Sequence, residues 1–268
     1  MSQPERRALD REILALAVPA FATLITEPLL TMADAAITGH ISTTALAGLG
    51  AAAVVVNGAV GLCVFLAYGT TGQVARQLGA GQRRKALAVG LDGISLGLAV
   101  GVVLLAALEA AAGPVIGLFG VDAEVAAQAV AYLRVVAFGL PAALSMLAAT
   151  GVLRGLQDTR TPLWVAIGVN LFNIALSLTL VFGLGLGIAG AALGTAVSQW
   201  AGASLLAGKV IRTARRERVA YRWNPGGVLL AARSGFWLFW RTVGLQAAVI
   251  TTTWVAARLG RESLAAHQ

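Results

Sequence analysis

The run from Ile13 to Gly39 constrains this chain most, because it is long, apolar and yet holds two carboxylates, Glu27 and Asp34. From Leu14 to Thr38 it is long enough to cross a bilayer as a helix, at ~1.5 Å per residue against a hydrocarbon core of ~30 Å. Its polar residues do not scatter. Thr23, Glu27, Thr31, Asp34 and Thr38 recur at steps of three or four, which puts them on one face of a helix. An ionised carboxylate near the centre of a membrane helix costs ~2.5–3.5 kcal/mol on insertion scales, so this face is expected to meet protein or a water-filled cavity. The blander alternative has the threonines bonding back to their own helix and Glu27 reaching a polar surface.

Composition extends that reading to the whole chain. Of 268 residues, 58% are hydrophobic and only 12% charged, with a mean hydropathy of +0.80. The expected fold class is therefore an all-α polytopic membrane protein. Cys63 stands alone, so neither a disulfide framework nor a cysteine metal site is expected. No metal centre is proposed, and His40 and His267 are far apart in sequence. A cleavable signal peptide is not expected, because the apolar stretch before Ala20-Phe21-Ala22 runs only from Ile13 to Val18.

Seven spans follow from the hydrophobic pattern: Ile13–Gly39, Leu46–Leu78, Ala88–Ala112, Glu124–Leu153, Pro162–Phe182, a sixth opening at the glycines 183–187 and ending at Ile211, and Gly235–Ala257. Glycines 58, 61, 69 and 72 interrupt the second span, and Gly113-Pro114 is expected to break the third. Gly93, Gly97 and Gly101, at four-residue spacing, form a small-residue face for close helix packing. A kink is expected at Pro141. With the N-terminus cytoplasmic, 17 of the 20 Lys and Arg fall on that side, Arg134 lies within a span, and only Arg258 and Arg261 lie opposite. The net charge of +8 thus reflects positive-inside topology in a plasma (bacterial inner) membrane and not nucleic-acid binding.

The chain also echoes itself. A shift of 218 residues lays Ile37 on Val255, Ile41 on Leu259 and Ala45–Gly48 on Ser263–Ala266. The seventh span follows the one long polar connection, Arg212–Arg233, and runs outward as the first does. Duplicated halves with a substrate path between them are a transporter habit. Residues 1–211 then form an N-terminal six-helix lobe, 212–234 a cytoplasmic inter-lobe loop, and 235–268 the first helix of an incomplete C-terminal lobe.

Four stretches carry a family resemblance: Glu27-Pro-Leu-Leu-Thr-Met-Ala-Asp34 with Gly39-His40, Tyr68-Gly-Thr-Thr-Gly-Gln-Val-Ala75, Leu153-Arg-Gly-Leu-Gln-Asp-Thr-Arg-Thr-Pro162, and Arg258-Leu-Gly260 with Leu264-Ala-Ala-His-Gln268. The chain resembles the multidrug and toxic compound extrusion family, especially its DNA-damage-inducible F branch. That resemblance implies a twelve-helix, two-lobe antiporter, of which this chain is about three-fifths. It expels small organic, often cationic compounds in exchange for H⁺ or Na⁺ and needs no cofactor. By the same resemblance Asp34 is the cation-coupling carboxylate, Pro19 the point where the first helix bends, and Asn173 and Thr195 polar partners of the acid. Ser177 stands where the family often has a second acid, and Leu30 where some members have tyrosine. Hard cations want several oxygen ligands, preferably anionic. H⁺ is therefore the coupling ion expected here, and a weak Na⁺ site at Asp34, Asn173 and Thr195 is the alternative.

The residues point the same way without the family. Asn170, Asn173 and Ser177 share a face of the fifth span, and Thr195, Ser198 and Gln199 one of the sixth. These two faces and that of Asp34 are expected to meet inside the bundle, although ordinary interhelical hydrogen bonding would use the same residues. Glu27 is either a second proton site or a structural partner, with Arg134 one option. Asp158 and Arg160 are expected to fix a cytoplasmic turn. Three other functions compete. A lipid-linked precursor flippase would line its cavity with several cations, and only Arg134 falls within a span. A seven-helix receptor or channel would be complete at seven spans. An embedded enzyme lacks its His/Asp/Glu cluster or Ser/His pair.

Overall fold

The computed structural model describes residues 31–219 and 236–245, together with positions 17, 18, 21, 22, 25, 28, 29, 226, 229 and 233. Pro19, Glu27, Leu30 and the stretch Arg258–Gln268 lie outside the described residues. Every regular element among the described residues is helical: α1 (31–39), α2 (Thr43–Leu62), α3 (Phe65–Gly79), α4 (Arg83–Gly117), α5 (Ala123–Ala137), α6 (Leu140–Gly155), α7 (Arg160–Leu178), α8 (Gly187–Arg216) and α9 (236–245).

The expected second span is α2 followed by α3, together 37 residues and long and apolar enough to cross a membrane. Its interruption falls at Cys63–Val64, just beyond Gly61, and Gly58, Gly69 and Gly72 remain inside helices. The Ser42 hydroxyl starts the span by accepting the Ala45 N–H at 3.0 Å. The third span differs from expectation: α4 continues through Gly113-Pro114 to Gly117. Proline removes one backbone donor and crowds the preceding turn, yet the bonds on either side hold, and membrane helices tolerate such a loss.

The fourth span is two helices. α5 and α6 meet at a 53° bend, and the break lies at Phe138–Gly139, so Pro141 occupies the first turn of α6 and does not kink a continuous helix. After α7 the chain takes one π turn, Thr179–Gly183, then swings through Gly185 and Gly187, whose φ values of +67° and +55° favour glycine. α8, 30 residues long, carries Thr195, Ser198 and Gln199 and packs against α5, α6 and α7. α4 and α7, the latter with its π turn, also meet the length and apolarity of membrane spans.

Glycine sets the closest helix contacts. A Cβ on Gly97 would stand 2.6 Å from the Leu144 carbonyl oxygen, and one on Gly101 would stand 2.8 Å from the Pro141 nitrogen, so α4 and α6 touch backbone to backbone. Gly90 extends that seam against Val152, whereas Gly93 faces Thr70 of α3. The expected small-residue face is therefore shared between two neighbours. On the α3 side, Thr71 donates to the Gly151 carbonyl of α6 at 3.0 Å. At one end of the bundle Arg83 Nε meets Glu217 at 3.0 Å and Lys209 Nζ meets Asp158 at 2.6 Å. These pairs gather the α3–α4 turn, the α6–α7 turn and the end of α8, which the charge pattern assigns to one side.

Candidate functional site

α1 enters the bundle by its apolar face. Ile37 is buried in a cluster with Val136, Val181, Ile188 and Ala191, and Ala35 packs against the same cluster. That seating turns the polar face of α1 inward, leaving Asp34 8% exposed and Thr38 fully buried. Asn173 and Ser177, one turn apart on α7, are likewise buried, as is Thr195 of α8. α7 and α8 lie close enough for this because Gly194 stands against the Ser177 backbone, where a Cβ would come within 3.2 Å of its Cα and nitrogen.

Asn173 Nδ2 donates to Thr195 Oγ1 at 3.1 Å, and the Thr195 hydroxyl donates to the Ala191 carbonyl at 3.1 Å. Asp34 lies within side-chain hydrogen-bonding reach of Thr195. Asp34, Asn173 and Thr195, nominated from three separate stretches of sequence, are thus one cluster. Ser177 borders it. Glu27 and Pro19 lie outside the described residues, and Arg134 is exposed on α5.

Tyr132 on α5 belongs to the cluster and was missed in the sequence. It is 5% exposed, within hydrogen-bonding reach of Thr195 and within electrostatic reach of Asp34. The signal was a phenol in the apolar stretch Ala129–Leu133, since a buried tyrosine hydroxyl needs a partner. Asp92, 7% exposed on α4, was missed as well, although a carboxylate inside a span is itself a signal. Gln199 is half-buried against Gly139 at the α5–α6 bend, and Ser198 is fully buried on the α7-facing side of α8.

Four buried oxygens, Asp34 Oδ1, Thr38 Oγ1, Asn173 Oδ1 and Ser177 Oγ, have no hydrogen-bond partner among the described residues. Burying a polar oxygen without a partner is costly. A carboxylate oxygen and three neutral oxygens left without partners are the chemistry of a site that takes a proton or a small cation. Among the described residues there is no group of three or more His, Cys, Asp or Glu side chains to hold a metal ion.

Outside the spans, Asp158 Oδ1 accepts the Thr161 N–H at 3.0 Å and Oδ2 accepts the Thr161 hydroxyl at 2.8 Å, while Lys209 Nζ donates to both Asp158 and Thr161. Partial burial opposes the Asp158 charge, but the bonds from Lys209 and Thr161 outweigh it and hold the carboxyl below its usual range. This is the turn-fixing role expected of Asp158. His40 closes the other end of α1, its Nδ1 lying 2.7 Å from the Ala36 carbonyl.

The MatE family model matches residues 19–179. The chain is 30% identical to Protein DETOXIFICATION 44, chloroplastic, of Arabidopsis thaliana over 97% of its own length and 52% of that protein. It is 30% identical to DNA damage-inducible protein F of Escherichia coli (strain K12) over 96% of its length and 57% of that protein. It thus spans about half the length of the curated relatives it matches. In fold it resembles the Vibrio cholerae MATE transporter VcmN in the bent form, with a TM-score of 0.87 at 21% identity, covering 98% of this chain and 60% of that one. A multi-pass helical chain with these motifs and this match belongs to the MatE family, the multidrug and toxic compound extrusion transporters.

Proposed function

We propose that the full-length protein is a secondary antiporter that expels small organic compounds, often cations, in exchange for protons bound at Asp34. One observation carries the reading: a carboxyl withdrawn from water inside a membrane bundle, sharing Thr195 with Asn173 and Tyr132. A carboxyl in such surroundings is poorly ionised unless its neighbours donate to it, so its proton responds to small rearrangements of those neighbours.

Thr195 supplies the rearrangement. Its hydroxyl has a single proton, which here goes to the Ala191 carbonyl, while Asn173 donates to its oxygen. When Asp34 is ionised, that proton turns to the carboxylate. When Asp34 is protonated, the acid becomes the donor and Thr195 returns to Ala191. Loading a proton thus re-sorts the bonds between α1 and α8. α1 answers by bending at Pro19, which squeezes the substrate out of the cavity. Ser177 borders the cluster and widens its oxygen lining without adding charge.

Na⁺ is the second reading, favoured by the four unpartnered oxygens. Only one of them is anionic, and hard cations favour more. Tyr132, Asn173 and Thr195 suffice to orient a proton, so H⁺ is preferred. The lobe division stands as part of the same proposal: residues 1–211 form one lobe, 212–234 the connection and 235–268 the start of the second. The charge asymmetry supports a cytoplasmic N-terminus, and the proposed location is a bacterial inner membrane.

The test is uptake of ethidium into inverted vesicles, or its transport in proteoliposomes, driven by a pH gradient. The Asp34→Asn variant of the full-length protein is expected to abolish it without a Na⁺ requirement in the parent. Unchanged efflux in that variant rejects the reading, and efflux that needs Na⁺ at constant pH selects the second.

A further inference from the structure

The 53° bend between α5 and α6 sits beside the Asp34 cluster and has its own fastening. Two carbonyls lose their ordinary helical donors there. Pro141 has no N–H to give to the Ala137 carbonyl, and the Phe138 carbonyl lies in the break itself. Within a membrane such groups must find partners inside the protein. The Phe138 carbonyl accepts the indole N–H of Trp200, on α8, at 3.0 Å.

Trp200 lies five residues beyond Thr195 on the same helix, and Phe138 six residues beyond Tyr132 on α5. α8 therefore holds the last turns of α5 at two points, Thr195 with Tyr132 and Trp200 with Phe138. Just beyond Phe138 the chain nearly touches α8, since a Cβ on Gly139 would stand 3.0 Å from the Ala196 Cα and 2.8 Å from Gln199 Oε1. We propose that Trp200 is a positioning residue: its bond to the Phe138 carbonyl fixes the angle at which the Tyr132 hydroxyl meets Thr195 and Asp34.

The surroundings of Tyr132 contain few other charges. α2 and residues 187–208 of α8 carry no ionisable side chain. α4 packs on the same cluster through Leu108, Ala112 and Ile116 and brings Glu109. α5 itself carries Glu124 and the exposed Arg134. Asp34 is the acid on which a displaced Tyr132 would act.

This inference rests on the proposal that Asp34 carries the exchanged ion, so Asp34→Asn is measured beside it in the full-length protein. Trp200→Phe keeps an aromatic ring and removes the N–H. Reconstituted protein is assayed for ethidium/H⁺ exchange per folded molecule across pH 5–9, with Tyr132→Phe and the double variant. The loss of one hydrogen bond predicts about a 3- to 10-fold slower exchange for Trp200→Phe. Its pH midpoint should move in the same direction as that of Tyr132→Phe, and the double variant should match Tyr132→Phe alone. Multiplying effects in the double variant, an unmoved midpoint, or failure to recover folded Trp200→Phe each overturn the positioning role. If Asp34→Asn exchanges normally the coupling proposal fails, whereas additivity with an inactive Asp34→Asn removes the Trp200 inference alone.

Discussion

A single neutral side chain separates this site from a stronger cation site. Ser177 is fully buried, its Oγ has no partner, and it stands one turn from Asn173. A carboxylate there would give the cluster a second anionic oxygen. Ser177→Asp in the full-length protein is therefore expected to make exchange respond to Na⁺ at fixed pH, where the parent does not. Fluorescence of an effluxed dye against stepped Na⁺ reads this, and an unresponsive variant would show that the oxygens do not converge. At this scale the sequence was most informative where chemistry is unusual. Asp34, Asn173 and Thr195 are polar groups in apolar helices, and the cost of burying them announces a partner. Tyr132 was not legible in the same way, because a tyrosine serves equally as an interface anchor and only the fold shows that its hydroxyl points inward.

Among the helices, two kinds of contact decide how firmly the site is held. The α4–α6 seam depends on hydrogen at Cα. Gly97→Ala would press a methyl against the Leu144 carbonyl, an overpacking expected to cost about 1–3 kcal/mol. A methyl group at Gly208 would meet nothing within 4 Å, so that position accepts alanine at no such cost. Thermal unfolding in detergent separates the two, and equal melting temperatures would refute the seam. The second contact is the Asp158 turn. Because the folded-state pKa of Asp158 is lowered, its stabilisation is present above the ordinary carboxylate range, near pH 4. It is lost as pH falls through the lowered value. Asp158→Asn should lower the melting temperature by about 2–4 °C at pH 7, as a lost helix cap of about 1 kcal/mol does, and by progressively less as pH falls through the lowered Asp158 value. Periodicity revealed the helices themselves, but not their breaks. The break at Cys63–Val64 has no proline, and the bend ahead of Pro141 falls two residues earlier than a kink would, because proline is accommodated in a first turn.

On the scale of the molecule, the polar face of α1 meets those of α7 and α8 from more than a hundred residues away in the chain. Their convergence was foreseen from spacing and from family resemblance, while the α5 contribution came only with the fold. The charge asymmetry and the ion pairs Arg83–Glu217 and Lys209–Asp158 agree on which turns share a side. The account stands on Asp34 exchanging a proton when substrate binds. The most direct measurement is proton release from purified full-length protein in weakly buffered detergent on addition of a saturating organic cation. The account predicts release from the parent protein and none from Asp34→Asn that still binds the cation; equal release from both would contradict it.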